Sequence, residues 1–181
     1  NGTDENLLQK TSKKFPKSSF YACDVRDTHS CKELVDYSIN KWGRLDILVC
    51  NVGNGRSLPT DMSNSEFNRM LELNLLSATN MIEASKTQLS KHHGTIVCIS
   101  SIAGIEALGA PITYSVAKSA LNQYVKTSSK YLAKLNIRIN AVVPGNVFFK
   151  GSVWDEKLKN NPSKVKKMLS KEVALGRFGT P

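Results

Sequence analysis

Residues Ser100 to Lys118 read Ser-Ser-Ile-Ala-Gly-Ile-Glu-Ala-Leu-Gly-Ala-Pro-Ile-Thr-Tyr-Ser-Val-Ala-Lys. They follow Thr95 to Ile99, an apolar run that reads as a buried strand. A glycine-containing loop then leads into an apolar-periodic stretch that reads as a helix from about Thr113 to Leu135. Tyr114 and Lys118 are four apart and share one face of that helix. Ser101 stands at the strand exit, where the loop can return its hydroxyl to the same face. A phenol, an ammonium and an alcohol gathered there can move a proton to or from a carbonyl oxygen.

Working outward, the same alternation of strand and helix recurs. Leu45 to Cys50 reads as a continuously apolar strand of the kind parallel sheets bury, and Asn51-Val52-Gly53-Asn54-Gly55 breaks the chain after it. Ser63 and Glu66 form a capping-box pattern at the start of a long helix that ends at His92-His93-Gly94. Ile137 to Val143 is the next strand, ended by Pro144-Gly145. Towards the N-terminus, Asp4 to Lys14 reads as a helix stopped by Phe15-Pro16. Ser19 to Cys23 is a short strand followed by Asp24-Val25, and Thr28 to Trp42 is a helix closed by Gly43. Two short basic helices, Trp154 to Leu158 and Val165 to Val173, follow the last strand. The pattern predicts an α/β fold, a doubly wound parallel sheet in three layers with helices on both faces. Ligands of such sheets bind beyond the carboxyl ends of the strands, where Asp24, Asn51, Ser101 and Pro144-Gly145 all fall.

Composition narrows the classes. At 181 residues the chain is a single domain on length, and its 40% apolar content is that of an ordinary globular protein. No apolar run is long enough for a membrane span. Cys23, Cys31, Cys50 and Cys98 show no Cys-x-x-Cys spacing and read as small buried hydrophobes of a reducing, cytoplasmic setting. The adjacent His92 and His93 lack a third ligand at metal spacing, so no metal is expected. The formal charge of +10 comes mostly from lysines on helix faces and in the tail. Without an aromatic-interleaved basic motif it reads as solvated surface rather than a nucleic-acid site. Its milder consequence is a field that draws anions.

The Tyr-x-x-x-Lys spacing proves little alone. Five tyrosines and nineteen lysines give about 0.5 such pairs by chance, and a second pair is present at Tyr37 and Lys41. That second pair has no strand-exit serine before it and reads as surface packing.

Taken in order, several pieces distinguish Tyr114. Asp24-Val25 follows a strand, and Trp42-Gly43-Arg44-Leu45-Asp46-Ile47-Leu48-Val49 precedes the turn at Asn51 and Gly53. Asn74 lies in Leu73-Asn74-Leu75, Ser101 precedes Tyr114 by thirteen residues, and Asn140 to Gly145 reads Asn-Ala-Val-Val-Pro-Gly. The ordered set resembles the short-chain dehydrogenase/reductase family over nearly the whole chain; within that resemblance a 3-oxoacyl-acyl-carrier reductase is the common default, and a polysaccharide or sugar dehydrogenase is comparably open.

The resemblance implies a Rossmann-like fold and a nicotinamide cofactor, NAD or NADP. Tyr114 would be the acid/base at the substrate oxygen, with Lys118 favouring its phenolate and bonding the nicotinamide ribose. Ser101 would hold the substrate oxygen. Asn74 would kink its helix and position a water that connects Lys118 to solvent. Asp24 would accept from the adenine amine and Val25 would contact the ring. Asn51, Val52 and Gly53 would admit the cofactor closely, and Pro144, Gly145 and the backbone of Val147 would meet the nicotinamide. Residues 148–172 would form a lid over a small carbonyl or alcohol substrate. If that substrate is anionic, Lys157 and Lys159 on the lid would select it. The family commonly forms homodimers or homotetramers.

The sequence also departs from the family's pattern. Cys50 replaces the first amide of the usual Asn-Asn-Ala-Gly turn, and Phe149 stands where a threonine is common. No Gly-x-x-x-Gly-x-Gly loop appears, so the chain reads as a piece of a longer enzyme, incomplete at the N-terminal βα unit and at the C-terminus. Two other classes stand beside this one. A non-catalytic, regulatory relative would keep the fold, and a basic nucleic-acid binder would show steep salt dependence.

Overall fold

Three parallel strands set the frame: β1 (Ile47–Cys50), β2 (Thr95–Ile99) and β3 (Arg138–Val142), adjacent in that order. The structure, a computed structural model, describes residues 1–58 and 61–181. The strands are in register, so that Cys50 lies beside Cys98 and Cys98 beside Ala141. All three carboxyl ends therefore open at one edge of the sheet. Two further hydrogen bonds extend that edge, Ser100 N–H to Val142 O at 2.8 Å and Ile102 N–H to Pro144 O at 3.0 Å.

Helices before and between the strands bury one face. In α2 (Thr28–Trp42), Asp27 caps the start by accepting from Ser30 N–H, and Gly43 closes the end at a φ of 74°. Cys31 and Val35, four apart, turn inward. Ala78, Met81, Ile82, Ser85 and Leu89 do the same in α4 (Ser77–Ser90), as do Ala117, Leu121, Val125 and Leu132 in α5 (Ile112–Ala133). All of these but Ser85 and Ala117 form one core with Leu48, Cys50, Ile96, Cys98 and Ile139 of the sheet. Alternate strand residues point the other way, and there Ile47 and Val49 are 62% and 57% exposed. The expectation that β1 is buried on both sides is corrected for the described residues, whose strand alternates with period two.

The helix expected from Ser63 to His92 has a defect at its centre. It runs as α3 (Asn64–Leu71), a π-helical turn (Glu72–Leu76), and then α4. Ser63 Oγ accepts from Glu66 N–H at 3.3 Å, but the Glu66 carboxylate turns away to Arg69 at 2.7 Å. Only half of the capping box forms, because a guanidinium offers two charge-assisted bonds where the backbone offers one. Asp61 supplies the missing half by accepting from Ser63 N–H.

Towards the N-terminus, α1 (Glu5–Ser12) starts on an Asp4 cap and ends before Phe15, tightening into turns ahead of Pro16. Ser19–Cys23 does not form a strand. Only Ala22 makes a bridge, to Gly2, because among the described residues this segment has no further partner for its backbone. After β3, Val147 makes a parallel bridge to Gly179, and α6 (Val153–Asn160) and α7 (Pro162–Glu172) follow. Among the described residues no helix is long and apolar enough to cross a membrane.

Candidate active site

The open edge of the sheet collects the expected residues in three layers. From α5 come Tyr114, half-buried, and Lys118, 4% exposed. The Lys118 ammonium lies 5.9 Å from the centroid of the Tyr114 ring. It donates to the main-chain oxygen of Ile99 at 2.9 Å. That acceptor exists because the strand ends there, one residue before Ser100. Burial pushes the Lys118 pKa down to about 8, since a charged amine loses hydration that one carbonyl only partly replaces.

Ser101 comes from the strand exit. Its Oγ accepts from Ala103 N–H at 3.2 Å and caps the 3-10 turn Ile102–Gly104. That turn packs directly on the α5 backbone. A Cβ on Gly104 would stand 2.7 Å from Lys118 C and 2.8 Å from Ser119 N. Ser100, buried beneath, donates its hydroxyl to Lys118 O at 3.3 Å. The turn that Ser101 caps is thus packed on the α5 backbone at Lys118 and Ser119, and the Ser101 O–H donates to no protein group among the described residues.

The π-helical turn contributes Asn74, 1% exposed. Widening the helix at this point frees backbone and turns the side chain inward, as π turns often do at functional positions. Asn74 Nδ2 donates to Asn54 O at 3.1 Å and to Met70 O at 3.2 Å. Its Oδ1 is buried and, among the described residues, without a partner. Gly53 explains where that oxygen points. A Cβ there would lie 2.5 Å from Asn74 Oδ1 and 3.3 Å from Lys118 Nζ. The two polar atoms face one notch, which a glycine with φ of 151° keeps open.

The loop after β1 covers this group residue by residue. Gly53 forms the notch, Asn54 O meets Asn74, and the Gly55 backbone lies against the Tyr114 ring, where a Cβ would make contacts of 3.4 to 3.5 Å. Neither Ile99 O nor Asn54 O could be found from sequence, because both act through the main chain. The second Tyr-x-x-x-Lys pair is a useful control. Lys41 Nζ also lies 5.9 Å from its tyrosine ring, and Tyr37 does have a serine partner, Ser19, at its hydroxyl. Ser19 belongs to no strand, so the pair still lacks a strand-exit serine. Burial separates the two sites, since Lys41 is exposed and Lys118 is enclosed.

A family model described as Enoyl-(Acyl carrier protein) reductase matches residues 1–181. The chain is 34% identical to the 3-oxoacyl-[acyl-carrier-protein] reductase FabG of Thermotoga maritima, over 98% of this chain and 72% of that protein. It belongs to the short-chain dehydrogenase/reductase family. Two solved structures are similar. One is ElxO with NADP bound, at 27% identity and a TM-score of 0.85, covering 98% of this chain and 73% of that one. The other is a 7α-hydroxysteroid dehydrogenase complexed with NADH and 7-oxo glycochenodeoxycholic acid, at 25% identity and a TM-score of 0.83, covering 97% and 69%. The fold is accordingly Rossmann-like, a parallel sheet with helices.

The remaining expected residues of this short-chain dehydrogenase/reductase spread along the same edge. Asn51 and Val52 are exposed beyond β1, and Gly145 is exposed beyond β3 with open space at its Cβ position. Phe148 N–H donates to Gly179 O and Gly179 N–H to Asn146 O, both at 2.9 Å. In a parallel bridge this leaves the N–H and C=O of Val147 itself facing away, with no backbone partner among the described residues. Asp24 is already engaged. Arg26 Nε donates to its two oxygens at 3.0 and 2.9 Å, and this pairing holds the carboxyl below its ordinary pKa. Val25 is 3% exposed and packs in the core. Lys157 and Lys159 are occupied on their own helix: Lys157 lies 4.7 Å above the Trp154 ring, and Lys159 bonds Asp155 at 2.8 Å. Phe149 is exposed and brings no hydroxyl.

This edge fits a nicotinamide dinucleotide. Among the described residues Lys118 makes one hydrogen bond where an ammonium can make three, Asn74 Oδ1 lacks a partner, and the Asn51–Gly53 and Gly145 backbones are exposed.

Proposed function

We propose that this chain carries the acid/base half of an NAD(P)-dependent oxidoreductase that interconverts a secondary alcohol and a ketone, with Tyr114 as the acid/base. One observation carries the reading. A lysine ammonium is enclosed beside a tyrosine ring, bound by a single carbonyl, and faces an unpartnered amide oxygen across a glycine notch. A structural lysine would be exposed or fully paired. The two cofactor-bound relatives support the cofactor class, one with NADP and one with NADH.

When bound, the nicotinamide ring accepts or gives the hydride at the substrate carbon. The chain's own residues handle the proton and the orientation. The free O–H of Ser101 donates to the substrate oxygen and holds it over Tyr114. The Tyr114 hydroxyl gives its proton to that oxygen in reduction and takes it back in oxidation. Lys118, as an ammonium, favours the phenolate through its field and offers its two spare N–H groups to the ribose. Asn74 Oδ1 is suited to hold a water next to Lys118 Nζ, through which the lost proton is replaced. Asn51, Val52, Gly53, Pro144 and Gly145 line the ring's approach, and the free backbone groups of Val147 suit its carboxamide. Asp24, shared with Arg26, and the main chain at Val25 would receive the adenine end.

Residues 148–172 form the lid in this reading, and a small carbonyl or alcohol is the substrate. The exposed Ile112, Val116 and Tyr131 on α5 support self-association into a homodimer or homotetramer, and the four free thiols suit the cytoplasm.

The test is turnover of a neutral ketone panel with NADH and NADPH, followed by cofactor absorbance. Tyr114→Phe should lower kcat by at least about 100-fold while leaving the fold intact. Equal turnover by the variant rules out the mechanism. Cofactor binding without turnover of any ketone or alcohol would favour the non-catalytic, regulatory reading.

A further inference from the structure

Arg56 is the cation that ties the loop over Tyr114 to the segment beyond β3. Its Nη1 pairs with Glu156 at 2.7 Å, and its Nη2 donates to Gly151 O at 2.9 Å. Its backbone is fixed on both sides. Arg56 N–H donates to Asn54 Oδ1 at 3.0 Å, and Arg56 O accepts from Arg69 Nη2 at 2.9 Å. Arg69 is itself clamped by Glu66, so the anchor is stiff. The residue before it, Gly55, lies against the Tyr114 ring. The guanidinium therefore bridges the loop that lies against the Tyr114 ring and the segment from Gly151 to Glu156.

The pair it makes is easily exchanged. Both side chains are about half exposed, at 53% and 51%, and an ion pair in that setting adds little to stability. Glu156 is in the first turn of α6, and its carboxylate returns to water when released. Of the neighbouring cations, Arg69 is held by Glu66, Lys159 by Asp155 and Lys157 lies on Trp154, while the exposed Lys150 beside Gly151 is an ammonium without a planar fork. Arg56 offers a planar fork whose half-exposed carboxylate partner comes from a distant segment, whereas the Arg69 fork is held within its own helix by Glu66.

We propose that Arg56 is a specificity-determining residue that selects substrates bearing a carboxylate on the chain beyond the reacting carbonyl. The substrate carboxylate replaces Glu156 on the same guanidinium. The inference rests on the alcohol–ketone reading above and names its substrate class as oxo acids and their hydroxy counterparts. Glu156 acts as an internal stand-in that holds Arg56 extended across the mouth until substrate arrives.

The experiment compares 3-oxobutanoate, 4-oxopentanoate and 5-oxohexanoate with their methyl esters, which keep the ketone and remove the charge. The readout is the ratio of kcat/KM for acid over ester. Arg56→Gln should lower that ratio about 10-fold or more, chiefly through KM of the acid, and Arg56→Lys should restore part of it. Glu156→Gln should move the ratio the other way by removing the competitor. A strap with no part in recognition would give the same change for acid and ester in both variants, and that result overturns the proposal. Should the wild-type chain reduce none of these six compounds and no member of the ketone panel, the oxidoreductase reading fails on its own account. The Arg56 proposal is then decided by calorimetric titration of 4-oxopentanoate into the wild type and Arg56→Gln. Binding that disappears in the variant supports it; equal binding, or none to the wild type, overturns it.

Discussion

Gly53 and Asn74 leave no room for a methyl group between them, since a Cβ on Gly53 would stand 2.5 Å from Asn74 Oδ1. Gly53 also adopts a φ of 151°, which L side chains rarely take. Gly53→Ala therefore meets both a clash and backbone strain of about 1–3 kcal/mol. We expect it to displace Asn74 and lower kcat at least about 10-fold, with a fall in Tm of several degrees. Steady-state kinetics and a thermal melt check this, and a variant with wild-type kcat would refute the notch as a functional feature.

Asn74→Asp puts a carboxylate where the unpartnered oxygen now faces Lys118. An opposite charge favours the ammonium, so the Lys118 pKa should rise from about 8 by about one unit or more. The alkaline limb of the pH–rate profile, measured with a neutral ketone, should move up by the same amount. A limb that stays in place would show that Lys118 and residue 74 do not share the notch.

Lys118 costs the fold stability near neutral pH. Its pKa of about 8 in the native chain, against an ordinary 10.5, corresponds to roughly 3 kcal/mol. Below about pH 8 both native and unfolded chains hold the proton, and the cost is present in full. Between about 8 and 10.5 the unfolded chain binds more protons, so native stability rises with pH. Lys118→Met should abolish turnover and raise stability at pH 7 by about 1–3 kcal/mol, with the gain shrinking as pH approaches 10.5. Urea melts at pH 7 and pH 10 read the sign directly.

Tyr37 and Lys41 supply the matched control. Their spacing and their 5.9 Å separation equal those of Tyr114 and Lys118, and a serine hydroxyl completes the likeness. Lys41 is exposed, so it has no desolvated charge to offer. Lys41→Ala should leave kcat/KM within about two-fold. Tyr37→Phe should lose about 1 kcal/mol of stability with its hydrogen bond to Ser19, and no activity.

These contrasts show what a linear reading can and cannot reach. Strand and helix alternation was legible because α2, α4 and α5 carry their apolar residues at helical spacing and β2 and β3 end in turn residues. The strand expected at Ser19–Cys23 did not form, since a strand needs a neighbour and apolarity cannot supply one. Ile47 and Val49 read as core for the same reason: hydrophobicity says what a residue favours, not which layer covers it. In the site, the side chains proposed to carry the chemistry were visible as Ser101, Tyr114, Lys118 and Asn74. The groups that orient them were not, because Ile99 O and Asn54 O are main-chain atoms and any residue would have supplied them. Arg56 was passed over because its meaning lies in a partner one hundred residues away, Glu156.

The close packing of Gly104 on the α5 backbone also has a hereditary side. A single base change converts any glycine codon to alanine, and here that change would force the turn bearing Ser101 off the helix bearing Lys118. A collection of inactivating alleles should therefore contain Gly104 beside Tyr114 and Lys118, although it offers no reactive atom. An engineer transplanting the serine, tyrosine and lysine to another scaffold would have to carry over that missing methyl as well.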